Sequence, residues 1–276
     1  MGKFWSLVFL SVPVLGVAVF VAAASWGYWF PQNVSAHGGQ IDHLFMVILW
    51  LTGAVFLATE IVLAVSLWRF DGAKSPRARF SRGNMRIELG LAAVVGLLLV
   101  FITVYQLEDW AEAKIRQPDL PPTVEVNGRQ FEWVMRYPGP NGELGDADDL
   151  FSPGDLHVPV DEDILVSLVS EDVLHSFYLP NLRIKQDAVP GMRIPVWFRA
   201  TETGVFDLVC AELCGWGHYK MAGRLIVESR ADYEAFLTRL EAEQNEDGFE
   251  EQQPTAANTS QRHPSVAEVV YRRAAR

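Results

Sequence analysis

Soft metal-ligating side chains are concentrated in one short segment, 210–221. It contains two thiols, an imidazole and a thioether, from Cys210, Cys214, His218 and Met221. Thiolate and thioether ligands favour copper over hard cations, and a His₂Cys set with a weak axial methionine is typical of copper sites that transfer electrons. Such a site needs a second imidazole. His175, which follows an apolar run upstream, is the candidate.

The presence of Cys210 favours a dinuclear over a mononuclear copper site. The other four ligands alone would describe a mononuclear site, whereas two thiolates on one short loop can bridge two copper ions and delocalise an electron over the pair. The carbonyl of Glu212, which lies between the two cysteines, can supply the remaining ligand. No position is left open for a substrate, so we expect electron transfer rather than oxygen binding. A disulfide or a reactive cysteine pair is the alternative, and zinc is disfavoured because methionine is a poor zinc ligand.

The composition limits the class of protein. The chain has 276 residues, of which 50% are hydrophobic, and a formal net charge of -11. It is therefore long enough for one soluble domain and several membrane segments. The acidic excess argues against a nucleic-acid partner. With only two cysteines, no disulfide framework holds the fold together.

Three apolar stretches, 4–30, 44–68 and 87–107, are each long enough to cross a bilayer. The loop between the second and third stretches has one acidic residue, Asp71, against six basic ones, which are Arg69, Lys74, Arg77, Arg79, Arg82 and Arg86. The positive-inside rule places that loop in the cytoplasm. We expect a signal peptide, cleaved near Ser25, or an extra membrane anchor over 1–30, and a transmembrane helical hairpin over 40–110.

After this hairpin the chain changes to short runs typical of β-strands, separated by turn residues: 123–135, 156–159, 164–170, 195–199, 205–210 and 223–227. Regularly spaced short strands favour an all-β sandwich or Greek-key barrel, here over 120–230. The segment 231–244 is predicted to form an amphipathic helix. The remainder, 245–276, has few core-forming residues and is predicted to be a mobile tail.

The copper segment, Cys-x-Glu-x-Cys-Gly-x-x-His-x-x-Met, resembles the CuA motif of cytochrome c oxidase subunit II. The segment 171–176 is similar to the family's region around its first histidine ligand, and the resemblance covers about residues 40–240. It implies a cupredoxin-like domain on the periplasmic side of a bacterial inner membrane. It also implies that this domain takes electrons from a cytochrome c, or a c-type donor domain, and passes them to the haem of subunit I. Subunit I would then reduce oxygen to water, coupled to proton translocation.

The resemblance assigns roles to particular residues. It implies that dinuclear copper is held by the side chains of His175, Cys210, Cys214, His218 and Met221 and by the carbonyl of Glu212. The side chain of Glu212 would contribute to a magnesium or manganese site at the border with subunit I, the subunit that carries haem and CuB. Lys185 and Asp187 match a family segment that packs on subunit I. The other expected partner is subunit III.

Two positions depart from the family pattern. Phe131 replaces the first tryptophan of an aromatic run that the family uses for electron input, so Phe131, Trp133 and Trp216 are the candidates for this role. In the last membrane segment, the tryptophan and proline that follow a glutamate in the family are absent. The glutamate remains as Glu88, which corresponds to a carboxylate at the cytoplasmic mouth of a proton path into subunit I.

Other functions remain as alternatives. A membrane-anchored copper-delivery protein of thioredoxin type would also show Cys-x₃-Cys and a distant histidine, although His218, Met221 and the later apolar segments argue against it. A quinol oxidase subunit would lack the copper ligands. Six acidic residues are candidates for a surface that steers a basic donor: Glu143, Asp146, Asp148, Asp149, Glu171 and Asp172.

Overall fold

The computed structural model describes residues 2–70, Phe80 and 83–247. The chain forms two compact units, one of Met1–Asn33 and His37–Arg116 and the other of Val34–Ala36 and Gln117–Arg276. The central part of the predicted basic loop and the predicted tail from residue 248 lie outside the described residues.

The first unit consists of four helices: α1 (Gly2–Ser25), α2 (Gly38–Arg69), α3 (Met85–Tyr105) and α4 (Leu107–Lys114). The helices α1, α2 and α3 are long and apolar enough to cross a membrane, as the sequence predicted. Asn84 caps α3, because its side chain accepts a hydrogen bond from the Arg86 amide at 3.1 Å. The predicted helical hairpin therefore corresponds to α2 and α3, and α1 is a further apolar helix that packs along α2.

The second unit is built mainly from ten strands: β1 (Val124–Arg129), β2 (Glu132–Tyr137), β3 (Leu150–Pro153), β4 (Asp155–Pro159), β5 (Asp163–Ser170), β6 (His175–Leu179), β7 (Ile184–Ala188), β8 (Ile194–Arg199), β9 (Gly204–Cys210) and β10 (Ala222–Glu228). They form two five-stranded sheets, in the orders β3-β2-β1-β5-β8 and β4-β10-β9-β6-β7. The pairs β1–β5 and β4–β10 are parallel and the others are antiparallel. Parallel neighbours require crossover connections, and the chain changes sheet from β3 to β4 and back to β5. The unit is a two-sheet β-sandwich, as expected for the cupredoxin-like domain that the resemblance implied.

Alternating side chains of the strands fill the space between the sheets. In β1 and β2 every second residue is buried, and the largest fully buried side chains include Trp133, Tyr137, Phe177 and Phe198. This period of two is what a strand with one buried face requires. The resulting core supports the end of the sandwich at which the metal-ligating residues lie.

The structure corrects several details of the predicted strands. The run 123–135 is two strands rather than one, because the chain turns at Gln130 and Phe131 between β1 and β2. The strands β3, β6 and β7 were not predicted. The last helix, α5, extends over Arg230–Asp247, and its Phe236 ring stacks on His157 with ring centroids 3.6 Å apart.

A short segment between α1 and α2 also belongs to the second unit. Val34 is fully buried in its core, and Ser35 pairs with Ala200 in antiparallel fashion next to β8. The Val34 amide donates to Asn181 O at 3.0 Å, and the Thr201 amide donates to Val34 O at 2.8 Å. The predicted domain over 120–230 therefore omits a piece of its own core.

Candidate metal centre

Three neighbouring strands of one sheet bring the predicted ligands together. His175 is the first residue of β6 and Cys210 is the last residue of β9, and these strands are antiparallel neighbours. Met221 immediately precedes β10, which pairs with the other side of β9. The loop that connects β9 and β10 therefore closes over the end of β6, and it carries the remaining ligands.

The sulfur, nitrogen and oxygen donors form one cluster. The Sγ atoms of Cys210 and Cys214 are 3.9 Å apart. Cys210 Sγ lies 4.0 Å from His175 Nδ1 and 3.3 Å from Glu212 O. Cys214 Sγ lies 3.5 Å from His218 Nδ1 and 3.7 Å from Met221 Sδ. The other four predicted donors thus surround the two thiols, and each thiol has its own imidazole neighbour.

Burial makes this cluster a poor environment for free thiols. His175, Cys210, Cys214 and Met221 are all buried, while His218 is half-buried. Burial, together with the adjacent Cys210 thiol, raises the pKa of Cys214 to about 11. Both sulfurs can become ligands only if a metal ion displaces their protons. A pair of closely spaced thiols with two imidazoles and a thioether is a soft donor set, which fits copper.

Asp172 determines which nitrogen of His175 faces the thiols. Its Oδ1 lies 2.8 Å from His175 Nε2, on the side of the ring opposite to Nδ1. Burial alone would raise the pKa of Asp172, but hydrogen bonds from His175, the Gln130 amide and the Val173 amide lower it. Because an ionised carboxylate only accepts hydrogen bonds, Nε2 must donate, and Nδ1 keeps a free electron pair for a metal. From the sequence alone, Asp172 was predicted only as part of a docking surface.

The loop that carries the cysteines is held from the opposite sheet. Gln130 Nε2 donates to Cys214 O at 2.6 Å. Gly215 has a φ of 138°, and a Cβ at that position would lie 2.7 Å from Gln130 Nε2. A Cβ at Gly217 would overlap the ring of Phe131. Both glycines are therefore needed for the close approach of the loop to Gln130 and Phe131.

The three candidates for electron input differ in accessibility. Phe131 is half-buried against the glycines of the loop, and Trp133 is completely buried, with its ring centroid 6.0 Å from that of His175. Trp216 is 85% exposed and makes an edge contact with Tyr219. Only Trp216 among these three presents most of its ring to a partner.

Three residues are expected at the border with subunit I: Glu212, which lies in the copper loop, and Lys185 and Asp187, which lie on β7. Within the described part of the chain, Glu212 belongs to no group of three or more His, Cys, Asp or Glu ligand atoms. The other ligands of a hard cation held by its side chain would be water, carbonyl oxygens or groups of another subunit. Lys185 and Asp187 form an ion pair at 3.0 Å, and Asp187 also accepts a hydrogen bond from Ser176 Oγ, next to His175.

The remaining predicted residues lie elsewhere. Glu88 is exposed in the first turn of α3. Among the six acidic docking candidates, the prediction for Asp149 is wrong, because this side chain is fully buried and paired with Arg136. Glu143 and Asp146 are exposed, and Glu171 accepts a hydrogen bond from Asn127.

Comparisons with known proteins agree with this geometry. Residues 140–229 match the family model for the periplasmic domain of cytochrome c oxidase subunit II. The chain is 32% identical over 274 residues to the alternative cytochrome c oxidase subunit 2 of Bradyrhizobium diazoefficiens, which covers 91% of this chain and 93% of the relative. It is 27% identical to cytochrome c oxidase subunit 2 of Thermostichus vulcanus, which covers 77% of this chain and 78% of the relative.

Among solved structures, the chain is similar to the periplasmic domain of subunit II of cytochrome oxidase from Bradyrhizobium japonicum. The identity is 28% and the TM-score is 0.41, with coverage of 46% of this chain and 97% of that domain.

Proposed function

Because this chain belongs to the cytochrome c oxidase subunit II family, we propose that its β-domain holds a dinuclear copper centre. The centre would accept electrons from a cytochrome c or a c-type donor domain, and deliver them to the haem of subunit I. The chain is thus part of an oxidoreductase whose acceptor is oxygen, with the oxygen chemistry in subunit I. The alternative of a thioredoxin-type copper-delivery protein lacks support, because the second unit is a two-sheet β-sandwich.

One observation carries the proposal of two metal ions. The two thiols lie 3.9 Å apart, and each has an imidazole nitrogen within 4.0 Å. A mononuclear site would use one cysteine, whereas this arrangement offers both sulfurs to the same small volume. When bound, a copper pair would supply a one-electron redox centre that needs little rearrangement on reduction. The protein's part is to hold six donors in a buried, fixed position, with His175, Cys210, Cys214, His218 and Met221 as side-chain ligands and Glu212 as the carbonyl ligand.

Electron input is proposed to occur at Trp216. It lies between the two glycines that pack against Gln130 and Phe131, and it follows Cys214 by two residues. Its exposed ring can contact a donor directly, whereas Phe131 is half-buried and Trp133 is completely buried. This residue would therefore replace the tryptophan that the family carries at the position of Phe131.

The partners follow from the same family. We propose that the surface around Glu212, Lys185 and Asp187 meets subunit I, and that the Glu212 carboxylate helps to hold a magnesium or manganese ion there with ligands from subunit I. Carboxylate oxygen suits such hard cations. Subunit III is proposed as a further partner, and a cytochrome c or a c-type donor domain is proposed as the electron donor.

The domain layout and topology are proposed as well. The helices α2 and α3 would cross a bacterial inner membrane, with the basic loop between them in the cytoplasm and the copper domain in the periplasm. In this topology Glu88 lies at the cytoplasmic end of α3, where it could collect protons for subunit I.

Electron paramagnetic resonance of the copper-loaded protein tests the dinuclear assignment. We expect the hyperfine pattern of one electron shared by two equivalent copper nuclei. Cys210→Ser and Cys214→Ser should each abolish this pattern, while Met221→Leu should keep copper bound and shift its potential, since a weak axial ligand tunes the site more than it holds it. The pattern of a single copper nucleus in the native protein would contradict the proposal.

A further inference from the structure

The helices α1 and α2 make a specific, antiparallel contact that includes polar groups. Ser6 is buried, and its Oγ donates to Ala64 O at 2.7 Å. The Lys3 ammonium lies 5.5 Å from the centre of the Trp68 ring, at the end of α2 that leads into the basic loop. A signal peptide that is removed needs only a continuous apolar run, so a buried interhelical hydrogen bond in α1 calls for another explanation.

A carboxyl group lies in this same contact. Glu60 is one helical turn from Ala64 on the same face of α2, and its Oε2 is buried without a hydrogen-bond partner among the described residues. The two helices run in opposite directions. One turn along α2 from Ala64 to Glu60 is therefore matched by one turn along α1 from Ser6 to Leu10. Leu10 and Ile61 indeed line the same cavity as Ser6 and Ala64. Glu60 therefore lies level with the stretch of α1 around Phe9 and Leu10.

A backbone acceptor is available in that stretch of α1. Pro13 lies inside the helix and has no N–H to donate to the carbonyl of Phe9, four residues earlier. Pro13 is buried and Phe9 is half-buried, and with Ser6 they occupy the face of α1 that contacts α2. In hydrocarbon, an uncompensated carboxylate is costly, and a carbonyl without a donor is also unfavourable. A proton held on Glu60 and shared with the Phe9 carbonyl would satisfy both groups.

We propose that α1 stays in the mature protein as a third membrane span. It is held on α2 by a hydrogen bond from the Glu60 carboxyl group to the Phe9 carbonyl, which has no donor within the helix because Pro13 lacks an N–H. The Ser6–Ala64 hydrogen bond lies one turn away and supports the same contact. In this arrangement Lys3 is on the same side of the membrane as the basic loop, in accordance with the positive-inside rule. The inference does not depend on the copper centre.

The mass of the mature subunit tests retention. The full chain, purified from membranes with its oxidase partners, should have an intact mass that includes residues 2–25. N-terminal sequencing should likewise begin at Met1 or Gly2. A mature chain that begins near Ser25 or Trp26 would overturn the proposal, whatever the state of the copper centre.

Disulfide formation between Ser6→Cys and Ala64→Cys in membranes tests the role of Glu60. The linked peptides are identified by mass spectrometry, with each single-cysteine variant as a background control. Glu60→Gln retains a donor and should leave the initial rate unchanged, whereas Glu60→Leu should lower it about threefold, a typical effect of losing an interhelical hydrogen bond. Thr59→Leu, at the adjacent exposed position, is the matched control and should have no effect.

Pro13→Ala completes a double-mutant cycle. Alanine restores the N–H for the Phe9 carbonyl, so Glu60 loses its acceptor and the rate should fall by a similar factor. In the Pro13→Ala background, Glu60→Leu should then cause little further change. Equal rates for Glu60→Gln and Glu60→Leu, or additive effects of the two substitutions, would overturn the proposed hydrogen bond. The copper spectrum of each variant verifies that the chain is folded.

Discussion

The carboxylate of Asp172 orients His175 through the ring nitrogen that faces away from the thiols. Removing it frees the ring to rotate or to change tautomer, so Asp172→Ala should weaken copper binding by about tenfold or more, as expected for the loss of a group that orients a metal-ligating histidine. Competition with a chelator of known affinity measures this. Glu171→Ala, which removes the neighbouring carboxylate bonded to Asn127, is the control. Unchanged copper affinity in Asp172→Ala would show that packing alone orients the ring.

Trp216 is the residue proposed to contact the electron donor. If its exposed ring is the site of contact, Trp216→Ala should lower the second-order rate of donor oxidation about tenfold, since tryptophans at the centre of an interface often contribute more than 1 kcal/mol. Stopped-flow mixing of the assembled oxidase with reduced donor measures the rate.

Leu213→Ala is the matched control for this experiment, because Leu213 is 77% exposed on the same loop and carries no aromatic ring. It should change the rate by less than about twofold. Equal losses in both variants would mean that the donor requires apolar area rather than the indole ring. The copper spectrum should be native in each case.

Residue types predicted which six donors lie together, because five side chains and one carbonyl could be named without knowing any distance. The role of Asp172 could not be predicted in this way. It depends on the turn before β6, which places a carboxylate beside the outer nitrogen of a histidine three residues later. Nor could the sequence rank Phe131, Trp133 and Trp216, since their difference lies in burial.

At the scale of the elements, the segment 34–36 completes the edge of the sheet next to β8. Val34 is completely buried, and truncating a buried valine costs roughly 2 kcal/mol. Val34→Ala should therefore lower the stability of the β-domain by about that amount, seen as earlier loss of copper absorbance in urea. Glu143→Ala, at an exposed position of the same domain, should leave the midpoint unchanged. No change in Val34→Ala would mean that the segment adds nothing to the core.

Periodicity predicted the strands whose alternation is strong and local. It failed for β6 and β7, which contain His175 and the polar run Lys185–Asp187 and therefore lack a regular apolar pattern. These strands are fixed by pairing with each other and with β9. The segment around Val34 is too short to show any period, and its partners lie far away in sequence. Such long-range pairing is decided by the whole sandwich rather than by local residues.

At the scale of the whole molecule, the net charge of -11 overstates the acidic surface that a donor could meet. Many carboxylates of the β-domain are already paired with arginine, including Asp149 with Arg136, Asp155 with Arg224, and Asp163 with Arg199. The pairs of Asp155 and Asp163 lie at the surface, where ion pairs contribute little stability but neutralise charge locally. Electrostatic steering must therefore come from the unpaired carboxylates, such as Glu143.

The two ends of α3 have different functions in the proposed topology. The helix has 21 residues, so at 1.5 Å per residue it spans about 30 Å, with Glu88 in its first turn and the β-domain following its other end. A carboxylate separated from the copper ligands by a membrane span cannot alter their spectrum. It can, however, supply protons to subunit I. Glu88→Ala should therefore slow steady-state oxygen consumption by the assembled oxidase, while the copper spectrum and the first electron transfer from the donor stay native.

Glu88→Asp is the matched variant, because it keeps a carboxylate at the same end of the helix and should retain most of the turnover. Oxygen-electrode assays of the three proteins at equal haem content give the comparison, and stopped-flow reduction of copper gives the separate rate of electron input. Native turnover in Glu88→Ala would make Glu88 an interfacial residue only. Slower copper reduction with unchanged oxygen chemistry would place Glu88 and the copper domain on the same side of the membrane, which contradicts the topology.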